Sequence, residues 1–118
     1  MEQLIAGATT TPVDVDVNNF MSEVIDGSAT TPTVVQFWAP WCGPCKQLGP
    51  VLEKVVAASN GKVRMVRVNI DENNEIAAQM RVQSVPTVYG FVEGKPVDGF
   101  SGAQPVSYTH LRAHETSL

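Results

Sequence analysis

The stretch FWAPWCGPCK, residues 37 to 46, joins a predicted strand to a predicted helix and decides the fold. Residues 33–38, which overlap the start of this stretch, form an apolar run broken only by Gln36, which is typical of a strand buried on both faces. After it, apolar positions recur at helical spacing until Asn60-Gly61 supplies a stop. The predicted buried face of this helix contains Cys45, Leu48, Leu52, Val55, Val56 and Ser59. Two cysteines therefore stand at a strand-to-helix junction.

The position of Cys42 at the start of the helix favours a reactive thiol. Unpaired N–H groups and the positive end of the helix dipole stabilise a thiolate there, and the thiolate is the nucleophilic form. Cys45 follows one turn later, close enough to close a small ring with Cys42. Gly43 permits a tight geometry, Pro44 is tolerated in a first helical turn, and Trp41 is expected to limit access to the thiol. This pattern indicates dithiol–disulfide chemistry.

Metal binding and inert burial are the other interpretations of a C-x-x-C pair. A zinc site needs about four ligands, and the only other good candidates are His110 and His114, near the C-terminus. We assign these histidines no function and expect neither a metal nor a cofactor. Inert burial is disfavoured because a dithiol at a strand-to-helix junction is poorly placed to be a mere packing group.

The rest of the chain alternates between strand and helix patterns. Further strands are predicted at residues 13–17, 63–68, 87–92 and 97–100. A first helix, capped by Asn18, is followed by a loop at residues 27–32, and a later helix spans residues 71–80 with Asp71 or Asn73 as its cap. Glu93-Gly94-Lys95 indicates a hairpin between the last two strands. The order predicts an α/β fold: a central mixed sheet flanked by helices, with an antiparallel hairpin at the end.

Val85-Pro86-Thr87 stands just before that hairpin and has two interpretations. Pro86 is either an ordinary edge-strand proline or a cis proline lying against the dithiol. In the second case the neighbouring backbone can pair with a bound peptide. Position in the sequence alone does not decide between the two.

Composition restricts the class of protein. The chain has 118 residues, of which 43% are hydrophobic and 17% charged, which suits one globular domain. The net charge of -4 argues against nucleic acid or an anionic membrane as a partner. No apolar run approaches the length of a membrane span, and the N-terminus lacks the basic region of a signal peptide. We therefore expect a cytoplasmic protein, and we also expect a monomer.

Five separated motifs, in order, resemble those of the thioredoxin family. They are Phe37-Trp38-Ala39, Trp41 to Lys46, Val68-Asn69-Ile70-Asp71, Val85-Pro86-Thr87 and Gly102. The resemblance implies a thioredoxin fold over residues 12–104, after a lead-in of residues 1–11. It also implies that the protein is a protein-disulfide reductase that acts on disulfide-containing client proteins, with a thioredoxin reductase as a candidate electron donor.

The same resemblance implies roles for individual residues. Cys42 attacks the substrate disulfide, Cys45 resolves the resulting mixed disulfide, and Pro86 is cis. The substrate groove is expected to be bordered by Trp41, Val85, Pro86 and Gly102. The residues expected to support the active site are Gln36, Trp38, Trp41, Gly43, Pro44 and Arg67.

Gln36 is a departure from the family pattern, because most thioredoxins carry a buried aspartate there, and Arg67 takes the place of the lysine that faces it. In one interpretation, Gln36 simply forms hydrogen bonds within a partly polar core. In the other interpretation, Gln36 changes the function of the active site, because an amide cannot accept the proton of Cys45 as a carboxylate can.

A narrower resemblance involves residues 46–50, 81–89 and 96–100, which are similar to the N-terminal domain of chaperedoxins. Those proteins continue into tetratricopeptide repeats, so this chain is expected to be a truncated fragment. The alternative function is then a redox chaperone module that binds clients and has lost its repeats. Residues 105–118 form an anomalous tail that resembles a translated sequencing adapter and carries few apolar groups. We expect this tail to be helical at best, with Pro105 in the first turn.

Overall fold

The structure, a computed structural model, describes residues 12–102 and the backbone of residues 104–106. One sheet contains the strands β1 (Val13–Asp14), β2 (Thr33–Trp38), β3 (Arg64–Asn69), β4 (Thr87–Val92), β5 (Lys95–Ser101) and β6 (Gln104–Val106). Their spatial order is β1-β3-β2-β4-β5-β6. β1, β3 and β2 run parallel, and β4, β5 and β6 add antiparallel pairs. The predicted mixed sheet with an antiparallel end is confirmed.

Three helices lie on the two faces of this sheet: α1 (Met21–Asp26), wound as a π-helix, α2 (Gly43–Ala58) and α3 (Asn74–Gln79). The side chains of β2 alternate between the two faces of the sheet, because successive side chains of a strand point to opposite sides. Val35 and Phe37 pack with Val24 of α1 and Ile76 of α3 in one core. Gln36 points to the other face, where its amide lies against Gly49 of α2.

Helix boundaries differ from the predictions where local hydrogen bonds compete with the periodic pattern. Asp16, not Asn18, organises the start of α1, since its carboxylate accepts the backbone N–H groups of Asn18 at 2.8 Å and Asn19 at 3.2 Å. β1 accordingly stops at Asp14 instead of reaching residue 17. The predicted loop at residues 27–32 begins with a 3-10 turn, Gly27–Ala29.

The two later helices also depart from their predicted patterns. α3 begins three residues later than predicted, and its N-cap, Asn73, makes no side-chain capping bond. On α2, Val55 is exposed although the pattern placed it on the buried face, whereas Gly49 is buried. Helical periodicity therefore located both helices without giving every buried position.

The first residues of the tail form a strand, not the start of a helix. β6 pairs with the end of β5 after Gly102, whose φ of +58° suits a tight turn. Pro105 lies in an edge strand, which is where a sheet tolerates proline. The lead-in of residues 1–11 and both histidines lie outside the described residues. Within the described part, no helix is both long and apolar enough for a membrane span.

Candidate active site

The two cysteines meet at the N-terminus of α2, as predicted. Cys42 is the N-cap residue, and its Sγ atom accepts the backbone N–H of Cys45 at 3.1 Å. The residues are joined as a disulfide with a Cα–Cα distance of 5.3 Å. Both are buried, at 3% and 5% exposure, so accessibility does not distinguish them in this oxidised state. Their positions on the helix differ, since Cys42 is the N-cap residue and Cys45 lies inside the first turn.

A small apolar cluster surrounds the disulfide. Ala39 is buried with both cysteines, and the partly buried Trp38, Ile70 and Val85 pack against them. The backbone N–H of Cys42 donates a hydrogen bond to Ala39 O at 3.0 Å. Since Val85 comes from the loop before β4, the cluster joins that loop to the dithiol.

Trp41 projects beside the disulfide and is 67% exposed. Its indole N–H donates to the carboxylate of Asp71, with Nε1 at 3.1 and 3.2 Å from the two oxygens. Asp71 is fixed in turn by its backbone N–H, which donates to Asn69 Oδ1 at 2.9 Å. The sequence analysis considered Asp71 as a helix cap and as part of a family motif but not as a partner of Trp41, so this contact was missed.

The Val85–Pro86 peptide bond is cis. This observation decides between the two interpretations of Pro86, because Val85 also packs on the dithiol cluster. Gly102 contacts the same proline, since its backbone N–H donates to Pro86 O at 2.7 Å. The structure therefore brings together Val85, Pro86 and Gly102, as the predicted groove requires.

A group of three hydroxyls, which we call the hydroxyl triad (Ser84, Thr87 and Ser101), connects the residues that flank the cis proline to the end of β5. Thr87 Oγ1 donates to Ser84 O at 2.6 Å and lies 3.1 Å from Ser101 Oγ, which lies 2.8 Å from Ser84 Oγ. A threonine hydroxyl has one proton, so Ser101 supplies the proton of the Thr87–Ser101 bond and accepts one from Ser84. These contacts tie both sides of Pro86 to the end of β5. Ser84 and Ser101 carried no sequence signal.

Gln36 and Arg67 are neighbours in the register of β2 and β3 and lie behind Cys45. The Arg67 guanidinium stacks over the Trp38 ring, 4.4 Å from its centroid. Gln36 Oε1 is buried without a hydrogen-bond partner among the described residues. A pocket of about 220 Å³ is lined by Gln36, Trp38, Cys45, Lys46, Gly49, Pro50, Glu53 and Arg67.

The role expected of Gly43, to permit a tight geometry, is not required by the structure. A Cβ atom at Gly43 would meet nothing within 4 Å, and its φ lies outside the left-handed region, so no steric constraint demands glycine there. Pro44 does occupy the first turn of α2, as predicted. In the described part of the chain, the structure groups no three metal-ligating side chains. The site is thus a redox-active dithiol at a helix N-terminus, beside a cis proline.

Comparison with known proteins places this site in a family. A family model described as Thioredoxin matches residues 11–113. The chain is 42% identical over 88 residues to Thioredoxin 1 of Nostoc sp., an alignment that covers 75% of this chain and 80% of that protein. It is 41% identical over 93 residues to a thioredoxin of Staphylococcus saprophyticus, with 79% and 86% coverage. It is 48% identical over 87 residues to the mitochondrial thioredoxin of Bos taurus, with 74% and 51% coverage.

A solved structure agrees with the sequence relatives. The thioredoxin of Malassezia sympodialis superposes with a TM-score of 0.70 at 31% sequence identity, covering 91% of this chain and 90% of that one. The chain therefore belongs to the thioredoxin family. It is a thiol–disulfide oxidoreductase that works with the Cys42–Cys45 pair.

Proposed function

We propose that the chain reduces protein disulfides, with Cys42 as the attacking thiolate and Cys45 as the resolving thiol. The Cys42 thiolate attacks one sulfur of the substrate disulfide, and the other substrate sulfur leaves with the electron pair. Cys45 then loses its proton and attacks Cys42 Sγ, which releases the second substrate sulfur as a thiolate. The substrate gains two electrons, and the Cys42–Cys45 disulfide forms.

The observation that carries this assignment is the capping position of Cys42. Its sulfur accepts the Cys45 N–H at the positive end of a 16-residue helix, so the anionic form of Cys42 is stabilised by a hydrogen bond and a dipole. Cys45 lies inside the first turn and has no such partner in the described residues. This difference in position supports Cys42 as the attacking thiolate and Cys45 as the resolving thiol.

The proposed substrate groove is bordered by Trp41, Val85, Pro86 and Gly102. Its support is proximity, since Val85 packs on the cysteine cluster and Gly102 binds the Pro86 carbonyl. A substrate strand that lies along this edge would meet the half-buried Val85 and the exposed indole of Trp41. Trp41 is held by Asp71, so it presents a fixed apolar wall beside the disulfide.

We further propose reduction as the natural direction, with a thioredoxin reductase as electron donor and a monomer as the working form. The Gly43-Pro44 pair between the cysteines supports reduction by family resemblance. The bacterial relatives support a cytoplasmic location, whereas the bovine relative is named mitochondrial. Coupled oxidation of NADPH in the presence of a purified bacterial reductase tests the donor, and sedimentation tests the oligomeric state.

Trapping of mixed disulfides tests the roles of the two cysteines. Cys45→Ser leaves attack intact and removes resolution. It should therefore accumulate a covalent adduct with disulfide-containing client proteins, which is detected on a non-reducing gel. Cys42→Ser is the matched control and should trap none. Equal trapping by both variants, or trapping by Cys42→Ser alone, would refute the assignment.

We propose that residues 12–104 are the functional domain, that residues 105–118 derive from an adapter, and that the natural gene encodes a chaperedoxin. The support is the similarity of residues 46–50, 81–89 and 96–100 to chaperedoxin domains. The genomic sequence beyond codon 105 tests this: helical repeats support it, and one terminal helix followed by a stop contradicts it. The alternative of a redox chaperone module, in which client binding is the main activity and redox chemistry is secondary, is not favoured, because the relatives are thioredoxins.

A further inference from the structure

The pocket behind Cys45 contains a polar atom that the protein leaves unpaired. Gln36 is 1% exposed, and its Oε1 atom has no hydrogen-bond partner among the described residues. Its amide faces Gly49, where an added Cβ would lie 3.8 Å from Oε1, and both residues line the pocket of about 220 Å³. A buried amide oxygen normally accepts a hydrogen bond, and a polar pocket of this size has room for several water molecules. Water is therefore the expected partner of Gln36 Oε1.

The same pocket connects Cys45 to a carboxylate. Glu53 lies on α2 about two turns beyond Cys45 and is half-buried. Among the described residues that line the pocket, Glu53 is the only carboxylate, and Lys46 and Arg67 are the other charged groups that face it. A proton that leaves Cys45 thus finds one anionic acceptor within the water-accessible space around it.

Resolution needs such an acceptor. A thiol in a poorly solvated place resists ionisation, because burial disfavours the charged form. The amide of Gln36 cannot take up a proton, and the cationic Lys46 and Arg67 cannot accept one either.

We propose that Glu53 accepts the proton of Cys45 during resolution, through water held at Gln36 Oε1. This inference rests on the proposed role of Cys45 as resolving thiol. The proton passes through water to the Glu53 carboxylate, and the Cys45 thiolate attacks Cys42 Sγ. The Cys45–Cys42 bond forms, the Cys42–substrate bond breaks, and the electron pair leaves on the substrate sulfur. Glu53 then returns its proton to solvent. Gln36 is a positioning residue in this step.

The test measures attack and resolution separately in one turnover. Reduced protein in excess is mixed with 5,5′-dithiobis(2-nitrobenzoate), which releases one coloured thiolate on attack by Cys42 and a second on resolution by Cys45. In Glu53→Gln the second phase should slow about tenfold, less than the hundredfold or more typical of a general base in direct contact. The rate of the first phase should stay unchanged. The wild-type decrease in the rate of the second phase at acidic pH should be absent. Glu53→Asp should restore part of the rate of the second phase and its decrease at acidic pH.

The control is Glu75→Gln, which removes the same charge from α3, away from the pocket. It should leave both phases unchanged. A second phase in Glu53→Gln with the wild-type rate and pH profile would overturn the inference while leaving the roles of the cysteines intact. Failure of the proposed function would look different, because the wild type would then show no second phase that depends on Cys45.

Discussion

Replacing Thr87 by valine is expected to destabilise the fold and to weaken substrate binding, because Thr87 is the centre of the hydroxyl triad. Thr87 is 2% exposed, and its hydroxyl binds both Ser84 O and Ser101 Oγ. Valine has nearly the same shape, so no cavity forms and only the hydrogen bonds are lost. At about 1 kcal/mol for each bond, the loss is about 2 kcal/mol. This corresponds to a fall in Tm of roughly 10 °C for a domain of about 100 residues.

The substrate effect follows from what the triad holds. Ser84 and Thr87 flank Val85 and Pro86, so the hydrogen bonds to Ser101 fix the loop that borders the proposed groove. Loosening this loop should raise KM for insulin about three- to tenfold, since tenfold corresponds to about 1.4 kcal/mol. The value of kcat for a small disulfide should stay unchanged, because Cys42 and α2 are untouched. Both are measured at 20 °C, where each variant is folded.

Thr33→Val is the matched control at the far end of the sheet. Thr33 is 1% exposed, its hydroxyl donates to Thr31 O at 2.9 Å, and it accepts from Arg64 at 3.3 Å. This variant should lose comparable stability, as measured by urea unfolding, and keep the wild-type KM. The reasoning is refuted if both valine variants raise KM equally, or if Thr87→Val loses stability with no change in KM.

Three further predictions test other parts of the site and core. Gln36→Asp places a carboxylate beside Cys45, so resolution in stopped-flow insulin reduction should accelerate at neutral pH, while burial of the charge lowers the unfolding free energy; no acceleration would contradict the role given to Gln36. Sub-stoichiometric iodoacetamide should label Cys42 before Cys45 in the reduced protein, as mapped by mass spectrometry. Burial raises the pKa of Tyr89 above its usual value of 10.0. The unfolded state therefore loses this proton first, and stability falls as pH rises above about 10. In Tyr89→Phe, unfolding titrations should show a smaller alkaline loss.

The order of the elements and the dithiol were predictable because both depend on residues close in the sequence. A buried strand, a helix start and two cysteines one turn apart are all contained in residues 33–46. Periodicity also located α2 and α3, although the competing hydrogen bonds of Asp16 moved the start of α1. Such side-chain bonds to local backbone have no periodic signature, which is why helix ends were the weaker part of the prediction.

The contact between Trp41 and Asp71 was missed for a different reason. The residues are separated by 30 positions, and each follows one of two parallel strands that pair in the sheet. The carboxyl ends of parallel neighbours lie at one edge, so the contact is predictable once β2 and β3 are known to be adjacent. The sequence predicts both strands but does not fix which strands pair.

The alignment of the cis-proline loop with Gly102 depends on a single irregularity in the hairpin. The turn at Glu93 and Gly94 pairs Val92 with Lys95, and a regular ladder from there would place Phe100 opposite Thr87. The register shifts between Gly90 and Phe91, so Thr87 instead faces Ser101. The next position along brings the Gly102 N–H to the Pro86 carbonyl. Because a one-residue slip would exchange the two faces of β5, this bulge completes the hydroxyl triad and positions the groove edge.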